Sequence, residues 1–98
     1  MRSGKTSSGF KYKYDERILN DMRFVDAIVG TIRGETEDSS RLVAYHDISE
    51  LLLGKEQKKA LYAHIMKNND GYVPMDVLDR EINEMLTGAK PDDKTIKN

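Results

Sequence analysis

A chain of 98 residues and 11.2 kDa has room for one core of roughly three to five elements and excludes enzymes built on large sheets or barrels. Hydrophobic residues make up 38%, charged residues 34%, and 16 Lys+Arg against 17 Asp+Glu leave a net charge of -1; general binding to nucleic acid or an anionic membrane needs a surplus of positive charge that this chain lacks. With no cysteine there is no disulfide, thiolate nucleophile or Cys-ligated zinc; no apolar run approaches the ~18 residues of a membrane span, and residues 1–10 carry no signal-peptide core, so the cytoplasm is the expected location.

Residues 1–9 are small, polar and Gly/Ser-rich, which predicts a flexible lead-in. Phe10, Lys11, Tyr12, Lys13 and Tyr14 then alternate aromatic and cationic, the pattern of a short half-buried strand. Such a strand needs a partner, supplied either by residues 2–6 folding back as a hairpin or by another chain. A homo-oligomer formed through the N-terminal strand is therefore one expectation.

Asp15 is placed to cap a first helix over 16–33, with Gly34 as its stop. Ile18, Met22, Val25, Val29 and Ile32, widened by Ile28, form the apolar stripe expected to face the core. A polar turn over 35–40, with Asp38 or Ser39 as cap, leads to a second helix over 40–53, whose broad apolar face comprises Leu42, Tyr45, Ile48, Leu52 and Leu53. Leu51, Leu52 and Leu53 together span about 200° of helix surface, more than one neighbouring helix can cover. Gly54 interrupts, and a third helix over 55–67 carries Leu61 and Ile65 inward with Tyr62 and Met66 at the flank. A turn at Asn68, Asn69, Asp70 and Gly71 and then Pro74 lead into a fourth helix over 75–87, striped by Met75, Leu78, Ile82, Met85 and Leu86 and stopped by Gly88. Residues 89–98 read as a disordered tail. The expected fold is a small, mainly α domain over 10–88, with about four helices and a short N-terminal strand or hairpin.

No motif for chemistry survives its own requirements. Gly4, Lys5 and Thr6 resemble the end of a P-loop but lack the preceding glycine and strand. The turn at 68–73 resembles an EF-hand centre, yet its register puts Met66 and Val77 where calcium needs carboxylates. His46 and Asp47 form a His-Asp pair with only His64 as a further histidine, a poor ligand set for zinc or iron. No serine is spaced to pair with a histidine and a carboxylate, and the acidic residues lie mainly on polar faces. Lys55, Lys58, Lys59 and Lys67 suggest a DNA-reading helix, but Glu56 interrupts them. The residues thus point to no enzyme, no cofactor and no metal site.

Three segments in order, Ser8-Gly9-Phe10-Lys11-Tyr12, Leu51-Leu52-Leu53-Gly54-Lys55-Glu56-Gln57 and Asp70-Gly71-Tyr72-Val73-Pro74, make the chain similar to the small tail assembly chaperones of long-tailed phages and prophages of Gram-positive bacteria. That family has an S-G-F strand before the first helix, an L-L-L-G-x-E-Q junction between central helices and a D-G-x-V-P lead into the last one. The resemblance implies a non-enzymatic protein that binds the tape measure protein and keeps it soluble. The tail tube protein is a further possible partner. Such a protein would act in the host cytoplasm and be absent from the mature virion. Phe10, Tyr12 and Tyr14 are then candidates for strand pairing or docking, and Leu51, Leu52 and Leu53 for a client groove, against the alternative that both sets fill the core. The other functional reading is a small regulatory or antitoxin-like module binding a protein or DNA partner.

Overall fold

A computed structural model describes residues 1–33 and 38–88 of the chain. The expected helix stop at Gly34, the turn over 35–37 and the tail over 89–98 lie outside the described residues.

The aromatic strand finds its partner within the chain. β1 (Arg2–Lys5) and β2 (Lys11–Tyr14) pair antiparallel, with Arg2 opposite Tyr14, Ser3 opposite Lys13, Gly4 opposite Tyr12 and Lys5 opposite Lys11. Of the two partners the sequence allows for the aromatic strand, the chain's own residues 2–5 supply it, and folding back leaves Phe10, Tyr12 and Tyr14 buried and Lys11 and Lys13 in solvent. Gly9, at φ 101°, closes the connecting loop, with its N–H donating to the Thr6 carbonyl at 2.9 Å. Gly4 is required for a different reason. A Cβ there would lie 2.7 Å from the Tyr12 hydroxyl oxygen, so only glycine lets that ring lie across the strand.

Asp15 caps as expected, accepting from the Arg17 N–H at 2.9 Å, but the turn it opens is a 3-10 helix over Glu16–Asn20. Asp21 repeats the device, accepting from the Arg23 N–H at 2.8 Å, and α1 (Met22–Arg33) starts there rather than at residue 16. Two Asp-x-Arg units six residues apart thus divide what periodicity read as one helix.

α2 (Asp38–Lys67) covers 30 residues with a kink inside it, so three helices stand where four were expected. The expected break is nonetheless present. Gly54 has φ 79° and ψ 166°, a region essentially reserved for glycine. In a straight helix Lys58 would lie about 18 Å along the axis from His46. Here Lys58 Nζ is 2.7 Å from His46 Nδ1, so the arm over 55–67 has turned back towards the arm over 38–53. Gln57 fixes the bend to the hairpin: its side chain donates to the Lys13 carbonyl at 2.6 Å and accepts from the Lys13 N–H at 2.9 Å, taking the place of a neighbouring strand.

Asp70 (φ 56°) and Gly71 (φ 85°) reverse the chain into α3 (Met75–Thr87), which ends at left-handed Gly88, its N–H on the Glu84 carbonyl at 2.9 Å. Pro74 sits at the cap position of α3. The hairpin is tied to the far end of this helix by Arg2, which donates to the Tyr14 hydroxyl and the Leu86 carbonyl at 3.0 Å each, while that hydroxyl donates to the Met85 carbonyl.

One core joins the hairpin aromatics to Phe24 and Ala27 of α1, Tyr45, Ile48, Leu52, Leu53, Leu61 and Ile65 of α2, and Leu78, Ile82 and Met85 of α3. The architecture is mainly α with a β-hairpin. No helix among the described residues is long and apolar enough to cross a membrane.

Candidate interaction surface

The apolar stripe of α1 does not face the core. Met22, Val25, Val29 and Ile32 lie within an arc of about 80° on the helical wheel, but Met22 is 64% and Ile32 70% exposed, Val29 is exposed and Val25 only half-buried. The buried side is the one bearing Phe24 and Ala27, flanked by half-buried Ile28 and Thr31. Gly30 helps set this rotation. A Cβ at that position would stand 3.0 Å from Ala44 Cβ, so α1 and α2 cross at close range where both side chains are minimal.

On α2, Leu42 (56%) and Val43 (58%) are also exposed. Leu42 was expected on the core face and is not there. Its place is taken by Ala44, Tyr45 and Ser49, all buried, with the Ser49 hydroxyl donating to the Tyr45 carbonyl at 2.8 Å. Met22, Val29 and Ile32 on their shared face of α1 expose on the order of 300 Å² of apolar side chain, within the range of the largest patch on an ordinary monomer.

The residues singled out from sequence sit elsewhere. Phe10, Tyr12 and Tyr14 are buried, and so are Leu52 and Leu53. Leu51 alone of the three leucines is half-buried, lining a hollow of about 400 Å³ with Asp15, Arg17, Ile18, Asp21, Arg23 and Leu52. Two exposed ion pairs line this hollow: Arg17 hydrogen-bonds Asp15 and Arg23 hydrogen-bonds Asp21, and these bonds, side chain first and backbone second, hold each carboxyl at about 2 against an ordinary 3.8.

A polar cluster that spacing did not reveal forms where the hairpin loop meets α3. The Ser8 hydroxyl donates to Glu81 Oε2 at 2.7 Å and lies 3.0 Å from His64 Nε2, while Ser7 donates to Glu84 from its N–H (2.6 Å) and its hydroxyl (2.8 Å). Glu81 is 1% exposed and its Oε1 has no hydrogen-bond partner. Serine, histidine and glutamate do meet, but the order is wrong for nucleophilic catalysis. Ser8 bridges the other two, so no carboxylate orients the imidazole. The signal was present in the sequence: Glu81 falls between Leu78, Ile82 and Met85 on the buried stripe of α3.

His46 sits apart from His64, 3.0 Å from Glu50 and 2.7 Å from Lys58. Among the described residues no three His, Asp or Glu side chains converge in a way that could hold a metal ion. Lys58, one of the four lysines considered for DNA reading, is turned onto His46 and Glu50 and its side chain is 15% exposed. No protein-family model, curated protein or solved structure matches the chain.

Proposed function

We propose that this protein is a non-enzymatic tail assembly chaperone that binds the tape measure protein and keeps it soluble while the tail tube assembles around it. The observation that carries the reading is the apolar stripe of Met22, Val25, Val29 and Ile32 on α1, which lies outside the core cluster and is left largely to solvent among the described residues, with Leu42 and Val43 of α2 exposed as well. Residues recurring at three- and four-residue spacing along one helix pack naturally against the apolar face of a second helix, the chemistry of a helix-rich client. The ordered resemblance of the segments at 8–12, 51–57 and 70–74 to such chaperones supports the same reading. On this proposal Phe10, Tyr12, Tyr14, Leu52 and Leu53 are the framework, Leu51 borders the docking surface, and the tail tube protein is a second partner. The protein works in the bacterial host cytoplasm and leaves before the virion is complete.

The test is co-expression with a tape measure protein of a long-tailed phage or prophage from the same host. The client is expected to stay soluble and to co-purify at fixed stoichiometry. Ile32→Glu and Val43→Glu, both at exposed helix positions, are expected to leave stability within about 0.5 kcal/mol and to abolish co-purification. A client that aggregates equally with and without the chain, or that co-purifies unchanged with both variants, ends this reading.

A further inference from the structure

The two edges of the hairpin are finished differently. On β2, Gln57 occupies the outward N–H and C=O of Lys13, which places Lys13 and Ser3 in a pair that exchanges no ladder hydrogen bonds. Alternation then makes Gly4 and Tyr12 a hydrogen-bonded pair, in agreement with the Thr6 N–H donating to the Phe10 carbonyl two residues further on. On β1 the same alternation turns the N–H and C=O of Ser3 and Lys5 outward. Among the described residues nothing satisfies them on that side, and both residues are exposed.

The solvent face of this hairpin is charged in one sense. Lys5 stands directly opposite Lys11 in a pair of the closely spaced kind, with Lys13 next along β2, and among the described residues none of the three has an acidic ion-pair partner. Arg2, on the other face, is already engaged by Glu16 and Tyr14. Like charges facing each other across a two-stranded ribbon work against the fold that holds them. A second copy of β1 at the open edge would add more lysines to the same face, so self-pairing is opposed by charge.

We propose that the outer edge of β1 is a strand-addition site for an extended acidic segment of another protein. Its backbone pairs with Ser3 and Lys5, its acidic side chains lie on the face of Lys5, Lys11 and Lys13, and its uncharged alternate residues pass beside Gly4. Backbone pairing supplies the affinity and the lysine face selects the sequence. The site is independent of the apolar stripe on α1, and its failure leaves the chaperone reading intact.

The experiment uses the full chain and a blocked peptide of alternating glutamate and valine, read by amide hydrogen exchange and a binding isotherm. Binding is expected to slow exchange of the Ser3 and Lys5 amides at least about tenfold. Lys5→Glu with Lys11→Glu is expected to weaken it at least about tenfold. Ser3→Pro removes one outward donor and no ladder bond, so it is expected to keep the fold and lose binding, whereas Ser3→Ala binds as the parent. The proposal is overturned if the peptide does not bind, if it binds without protecting Ser3 and Lys5, or if a lysine–valine peptide binds equally well. Protection of the same amides by duplex DNA alone, or by self-association at rising protein concentration, also overturns it.

Discussion

Gly54→Ala isolates the bend on which the two arms of α2 depend. At φ 79° and ψ 166° an L-residue sits in backbone space that costs about 1–3 kcal/mol, and no atom lies within 4 Å of the added Cβ, so the penalty is conformational and not steric. Alanine returns about 0.4–1 kcal/mol by restricting the unfolded chain. The net expectation is a loss of about 1–2 kcal/mol, or a fall in Tm of roughly 4–8 °C per kcal/mol for a domain of this size. Relaxing the strain by straightening α2 is no escape. It would break the Lys58 to His46 and Gln57 to Lys13 contacts and pull buried Leu61 and Ile65 out of the core, each worth about 2–5 kcal/mol. Urea and thermal melts of the variant measure the loss, with size exclusion to register any exchange of arms between copies. A chemically synthesised chain with D-alanine at position 54 is the control, since a D-residue adopts positive φ without strain; it is expected to be at least as stable as the parent. An L-alanine variant that is monomeric and as stable as the parent would refute the assignment of this bend to glycine.

The loop cluster gives a prediction in both directions. Ser8→Ala leaves buried Glu81 without its hydrogen bond and is expected to cost about 1–3 kcal/mol, whereas Glu81→Gln removes a buried charge with one unpartnered oxygen and is expected to be neutral or stabilising; a destabilised Gln variant would show that the charge itself is needed. Asp15 and Asp21 predict the acid limb. Their carboxyls titrate at about 2 in the folded chain and near 3.8 when unfolded, so the unfolded state takes up protons first as pH falls. Their stabilisation is complete above about pH 5 and is lost as pH drops through 3.8 towards 2. Asp15→Asn with Asp21→Asn should flatten stability over that range in urea melts, and parallel curves for parent and variant would contradict the ion-pair account.

Much of the chain is legible locally because the signals are local. Gly54 and Gly88 end or bend helices at the positions their sequence context marks, and the stripe of Leu78, Ile82 and Met85 is the buried face of α3. Aromatic alternation sets the strand at Tyr12 and Tyr14, and Leu61 with Ile65 faces inward as their spacing implies. These features follow from backbone sterics, capping and a period of 2 or 3.6, which act within a few residues. The choice of face on α1 is another matter. That helix carries two apolar sides, and the wider one, Met22 to Ile32, is the better core candidate by periodicity alone. It is left outside because the close approach of Gly30 to Ala44 and the burial of Phe24 fix the rotation. The meeting of Ser8 with Glu81 and His64 and the sealing of β2 by Gln57 join residues 44 to 73 positions apart. Such contacts depend on how the arms of α2 fold back and α3 returns, so only tertiary packing decides which polar groups are paired and which apolar surface remains for a partner.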